Sequence, residues 1–173
     1  GENADFYAAL DPVEPWRILA ITFTNKAAGE LKERTQTAAA FAIAYGLAPD
    51  DAAREKVRRL LVDEIRVYDT HLTTGFLGTP VLLRALAEVG ETAIAYELLE
   101  QTTCPSWLYP VTMGATSIWE RWDAIRPDGT HHPNWMNSFN HYAFGSVASW
   151  LYDTVCGIRD ITEEDPSAAG YRR

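Results

Sequence analysis

Ten consecutive residues, Gly114-Ala115-Thr116-Ser117-Ile118-Trp119-Glu120-Arg121-Trp122-Asp123, set one carboxylate between two tryptophans and an arginine. An acidic residue walled by aromatics suits sugar chemistry. Indole faces pack on the C–H face of a pyranose, and a carboxylate held among them can take a proton from water or give one to a leaving oxygen. Further along, Met136-Asn137-Ser138-Phe139-Asn140-His141-Tyr142-Ala143 forms a second polar and aromatic cluster. Together the two make a glycoside-processing site the leading expectation.

Each of these residues also has a plainer reading. Glu120 beside Arg121 is the usual setting of a surface ion pair. His141, placed early in an expected helix, suits a capping or core histidine. Trp107, Trp119, Trp122 and Trp135 compete between core packing and a sugar platform. His131-His132 sits in a Pro/Gly loop without a third ligand, so no metal site is expected there, and no cofactor is implied elsewhere. The run Arg54-Glu55-Lys56-Arg58-Arg59 with Asp63 and Glu64 reads as a solvated helix face with pairs such as Glu55/Arg59.

The elements that must carry these clusters read as mostly helical. Glu33 to Tyr45 is an expected helix with Gly46 as its stop, and Asp50 is an expected N-cap for a helix over 51–68. Val57, Leu60, Leu61, Ile65 and Tyr68 fall there at helical spacing. A Gly/Thr-rich link over 70–78 leads to a third helix from about Pro80 to Val89, stopped by Gly90. Thr92 to Thr103 reads as a fourth, ended by Pro105. Residues 106–134 lack a sustained period and contain Pro110, Pro127, Gly129 and Pro133, so they read as a long loop with a short helix around Ile118 to Trp122. Asn137 to Cys156 reads as the last long helix, closed by Gly157. Upstream, Asn3 to Leu10 is short and amphipathic, and Arg17 to Thr24 has the alternation of a strand. The fold class is therefore all-α, an array of helix hairpins.

Composition bounds the rest. A chain of 173 residues can bury roughly 70% of its unfolded surface. At 47% hydrophobic and 12% aromatic it is not the composition of a disordered segment. A net charge of −9 repels a phosphate backbone and an anionic membrane, so neither nucleic acid nor membrane is an expected partner. Cys104 and Cys156 lie in separate expected helical regions without metal-ligand spacing, and the expectation is two buried free thiols. No apolar stretch is long enough to span a bilayer, no leader is evident, and the compartment is not legible.

From about Thr35 to Tyr171 the sequence resembles the C-terminal half of the catalytic domain of bacterial α-L-rhamnosidases of glycoside hydrolase family 78. The matching pieces are Thr35 to Ala38, His71 to Pro80, Pro105-Ser106-Trp107, Gly114 to Asp123, Met136 to Ala143, and Gly170-Tyr171. The resemblance implies part of a six-hairpin (α/α)6 toroid that hydrolyses terminal α-L-rhamnosides with inversion, so a rhamnose-containing carbohydrate is the implied partner. It implies that Glu120 is the general base and that His141 lines the sugar, with Trp119, Trp122 and Asp123 as further expected contacts. The family's general acid sits in a motif of the other half, which nothing here resembles. The chain alone is thus expected to be weakly active or inactive, with exposed toroid faces open to self-association. The alternative is a noncatalytic helical carbohydrate-binding or structural module, including an engineered or composite chain.

A second resemblance covers Pro15 to Arg34, which is similar to the segment after the nucleotide-binding loop of superfamily 1 helicases of the Rep and UvrD kind. No Gly-x-x-x-x-Gly-Lys-Ser/Thr accompanies it, so no phosphate cradle and no nucleic-acid role follow. The expected organisation is an irregular or composite segment over 1–34, the partial toroid over 35–160, and a linker-like tail over 161–173.

Overall fold

A computed structural model describes residues 30–160 and 171–172 of the chain; the amphipathic stretch and the strand expected upstream, and most of the tail, lie outside the described residues. Four helices come first: α1 (Glu30–Ala44), α2 (Asp51–Val67), α3 (Thr79–Glu88) and α4 (Thr92–Glu100). α5 (Leu108–Thr112) follows, then an irregular stretch over 113–142, a 3-10 turn (Ala143–Ser146), the short α6 (Val147–Trp150) and a π-helical turn (Leu151–Val155). Arg159–Asp160 (β1) pairs antiparallel with Tyr171–Arg172 (β2). The all-α helix-hairpin array expected from the sequence is the observed architecture.

α3 is the hub, since α1, α4, α6 and the 3-10 turn all pack on it, while α2 packs on α1. α1 presents Ala39, Ala40, Ala42 and Ile43 inward, and alanine at three of those positions lets the neighbouring backbones come close. α2 has the strongest pattern: Ala53, Val57, Leu61 and Ile65 recur at four-residue spacing and are buried. Its N-cap is Asp50, whose carboxylate accepts the Ala53 N–H at 2.7 Å.

The joint between α1 and α3 is polar and closed. Gln36, fully buried, accepts the Thr73 N–H at 2.8 Å and donates to the His71 carbonyl at 3.1 Å. Both ends of one amide are satisfied, so the buried polar group holds the 71–74 loop to α1 without a desolvation debt. Gly78 sits against the same helix: a Cβ there would lie 2.9 Å from Thr74 Cγ2 and strike the Thr37 side chain. Thr74 and Thr79 close the loop through a hydroxyl pair at 2.9 Å. The motifs Thr35 to Ala38 and His71 to Pro80 are therefore two sides of one contact.

Four expectations are corrected. The fourth helix stops at Glu100 rather than Thr103. Ile118 to Trp122 is not a helix, and Leu108–Thr112 is one, with Pro110 in its first turn where a missing N–H costs nothing. Residues 137–142 are not helical: the long helix expected over 137–156 reduces to the 3-10, α and π turns of 143–155. Cys104 and Cys156 are free thiols as expected but are exposed rather than buried, and neither lies in a regular α-helix.

Candidate active site

Two extended segments bring the clusters together. The Glu120 N–H donates to the Ser138 carbonyl at 2.8 Å, and the Ser138 N–H donates to Glu120 Oε2 at 2.8 Å. The His141 N–H donates to the Ile118 carbonyl at 2.8 Å, and the Ser117 hydroxyl to the Phe139 carbonyl at 2.5 Å. These cross-links explain why Ile118 to Trp122 is extended: its backbone is spent on residues 138–141 instead of on a helix.

Glu120 is half-buried, and Oε1 has no hydrogen-bond partner among the described residues. Arg121 does not pair with it. The guanidinium instead donates from Nε to Asp123 Oδ1 at 3.2 Å, and a terminal nitrogen approaches His132 Nε2 at 3.2 Å. The plain reading of Glu120 as an ion-paired neighbour of Arg121 is thus not what the structure contains. Asp123 is engaged on its other oxygen too, with Oδ2 lying 3.5 Å from His132 Nε2.

The aromatic residues divide by exposure. Trp119 is 4% exposed and meets the Phe139 ring edge-on at 5.3 Å. Trp122 stacks one face on Phe144 at 3.8 Å, and Trp107 meets it edge-on at 5.5 Å while donating its indole N–H to the Phe144 carbonyl at 2.9 Å. Trp107, Trp119 and Trp122, with Val111, Ser117, Ile118 and Phe144, line an apolar cleft enclosing about 300 Å³, part of it open to solvent. Trp135 is 90% exposed on the loop that follows His132. His141 is half-buried with Phe76 parallel to its ring at 4.8 Å and Tyr142 at 5.2 Å.

Around this centre the shifts have simple causes. Desolvation pushes the Cys104 thiol up to about 11, helped by the nearby Asp123 carboxylate and opposed by Arg121. Desolvation likewise raises Tyr109, whose hydroxyl donates to the Ile125 carbonyl at 2.8 Å. The Thr130 hydroxyl, followed by its backbone N–H, holds Asp128 below the usual carboxylate range in the turn before His131. Among the described residues no group of three His, Cys, Asp or Glu could hold a metal ion, and no helix is long and apolar enough to cross a membrane.

Two participants were not singled out in the sequence, Ser138 and Phe76. Both fall inside stretches that carry the resemblance, which was the available signal; their roles are a backbone N–H and a ring face, which residue type does not announce.

The model of the bacterial α-L-rhamnosidase six-hairpin glycosidase domain matches residues 17–155. The chain belongs to that family. The match runs through residues 17–34, so the helicase-like resemblance gains no support and that stretch falls within the family match. The α-L-rhamnosidase of Streptomyces avermitilis is 48% identical over 145 residues, which cover 84% of this chain and 13% of that protein. An α-L-rhamnosidase of Formosa agariphila is 40% identical over 146 residues, 83% of this chain and 15% of the relative. The crystal structure of the Streptomyces avermitilis enzyme complexed with L-rhamnose matches with a TM-score of 0.70 at 50% identity, over 72% of this chain and 12% of that one. The native Aspergillus terreus α-L-rhamnosidase matches at 0.71 and 42% identity, over 73% and 15%. The chain therefore spans about an eighth to a seventh of the length of these relatives.

Proposed function

We propose that these residues form part of the catalytic domain of an inverting α-L-rhamnosidase, contributing the general base Glu120 and a sugar-contacting wall with His141, Trp119, Trp122 and Asp123. The observation that carries the reading is the state of Glu120. One oxygen is held by a backbone N–H while the other is left without a hydrogen-bond partner among the described residues, and the adjacent Arg121 is turned to Asp123. That arrangement fixes the direction of a carboxylate without neutralising it.

In the reaction, Oε1 of Glu120 accepts a proton from a water whose oxygen bonds to the anomeric carbon as the glycosidic C–O bond breaks. A second carboxyl group protonates the departing oxygen, and in an inverting enzyme the two stand roughly 6.5–9.5 Å apart, leaving room for the water. On this reading the acid comes from the part of the catalytic domain that the match leaves uncovered, and the 173 residues alone hydrolyse p-nitrophenyl α-L-rhamnoside weakly or not at all.

The test is a chimera in which this chain's matching residues replace those of the Streptomyces avermitilis enzyme. It should release rhamnose, first as the β-anomer by proton NMR. Glu120→Gln should lower kcat by about a thousandfold, within the range for loss of a general base. Full activity in Glu120→Gln, or the α-anomer as first product, sinks the proposal.

A further inference from the structure

Two histidines of the site region fold back on their own backbone in the same way. The Asn134 N–H donates to His132 Nδ1 at 3.1 Å, and the Ala143 N–H donates to His141 Nδ1 at 3.2 Å. A backbone N–H can only donate, so each Nδ1 presents its lone pair and the proton of the neutral ring resides on Nε2. Beyond that point the two differ. His132 Nε2 faces Asp123 Oδ2 at 3.5 Å and Arg121 at 3.2 Å. His141 Nε2 has no hydrogen-bond partner among the described residues, although the ring is half-buried.

What sets the plane of the His141 ring is Phe76. The two rings lie 4.8 Å apart and 11° from parallel. Phe76 is anchored in turn: it packs on Phe144 at 5.2 Å, and Phe144 stacks on Trp122 at 3.8 Å and 16°. Its own loop is held to α1 by the buried Gln36 amide. Tyr142 also runs parallel to His141 but is 87% exposed, so it has little beneath it to fix a neighbour.

We infer that Phe76 is the positioning residue of His141: its ring fixes the imidazole plane while the Ala143 N–H fixes the tautomer, so that Nε2–H is held ready to donate to a hydroxyl oxygen of a bound sugar. The sugar half of this statement rests on the proposed function; the plane and the tautomer do not. A half-buried donor with no acceptor selects for a ligand that brings an oxygen lone pair. In this state Nε2 cannot take a proton, so His141 binds and orients while Glu120 remains the base.

The test is long-range proton–nitrogen NMR on the full chain labelled with 15N-histidine. His141 should appear as the Nε2–H tautomer in the wild type and in Phe76→Tyr, which keeps the ring. Phe76→Leu, which keeps apolar volume but removes the ring, should show averaging between the two tautomers. His132, held by Asn134 and Asp123, serves as the internal control for folding and should stay as the Nε2–H form throughout. An Nδ1–H tautomer at His141, or a Phe76→Leu spectrum identical to wild type, overturns the positioning role. Titration with L-rhamnose should shift His141 Nε2 and leave His132 in place, and Phe76→Leu should weaken that response. A fixed tautomer with no response to L-rhamnose overturns the sugar half and counts against the proposed function, whereas a response with the wrong tautomer overturns the positioning role alone.

Discussion

Glu120 and Cys104 illustrate how two acids near one another are set differently by their surroundings. Glu120 has an orienting N–H from Ser138 and an open oxygen, the condition under which a carboxylate can serve a water. Cys104 is accessible, yet desolvation and the neighbouring Asp123 hold its proton on until about pH 11. The reactive species of a thiol is the thiolate, so accessibility alone will not make Cys104 reactive. Alkylation by iodoacetamide, followed by peptide mass mapping, should therefore lag at Cys104 near pH 8 and climb with a midpoint near pH 11; rapid labelling of Cys104 at pH 8 contradicts this. The same shift has a stability side. Because the folded-state value lies above the reference of 9.0, the contribution is present below about pH 9 and is lost as pH rises through 11.

At the level of elements, legibility followed the way each backbone finds its partners. α2 could be read because one face carries Val57, Leu61 and Ile65 and an aspartate supplies the cap; the signal is local and the helix obeys it. Residues 117–122 and 137–142 were misread as helical because their partners are each other, across a sequence gap that periodicity does not see. The aromatics Phe139 and Tyr142 stand at helical spacing, but Phe139 meets Trp119 and Tyr142 is open to solvent. Pro110 was read as a breaker, whereas at the third position of α5 its missing donor has no intrahelical acceptor to lose. The aromatic and carboxylate composition of the site was legible for the opposite reason: it depends on residue type rather than on geometry. The face of α2 gives a sharp test. Leu61 is fully buried and Leu60 is 39% exposed, so Leu61→Ala should cost roughly 2–5 kcal/mol in urea unfolding and Leu60→Ala far less. Equal losses would mean that the helix is rotated from the orientation described.

Across the whole molecule, α2 is tied to the next hairpin by charges that span the array. Arg54 meets Glu88 at 2.8 Å, Arg58 meets Glu91, and Arg66 meets Glu97. Within α2, Glu55 serves both Arg58 and Arg59, and their hydrogen bonds hold its carboxyl down to about 2. Arg66 lowers Glu97 in the same way. Depressed carboxylates stabilise above their ordinary range, so this contribution is complete above about pH 4.5 and disappears as pH falls toward 2. Urea midpoints measured between pH 6 and pH 2 should fall, and Glu55→Gln should flatten part of that fall; an unchanged slope would remove Glu55 from the account. The π-helical turn over Leu151–Val155 acts on the same scale. Its wide hydrogen bond, from the Cys156 N–H to the Leu151 carbonyl at 2.9 Å, accommodates one residue more than an α-turn would. Deleting a single residue between Tyr152 and Thr154 would leave a perfectly ordinary helix, yet would swing everything downstream, Gly157 and β1 included, by about 100° around the axis. Chain length at that point is an angular setting, which makes it a poor place for insertions and deletions even though its side chains are largely replaceable.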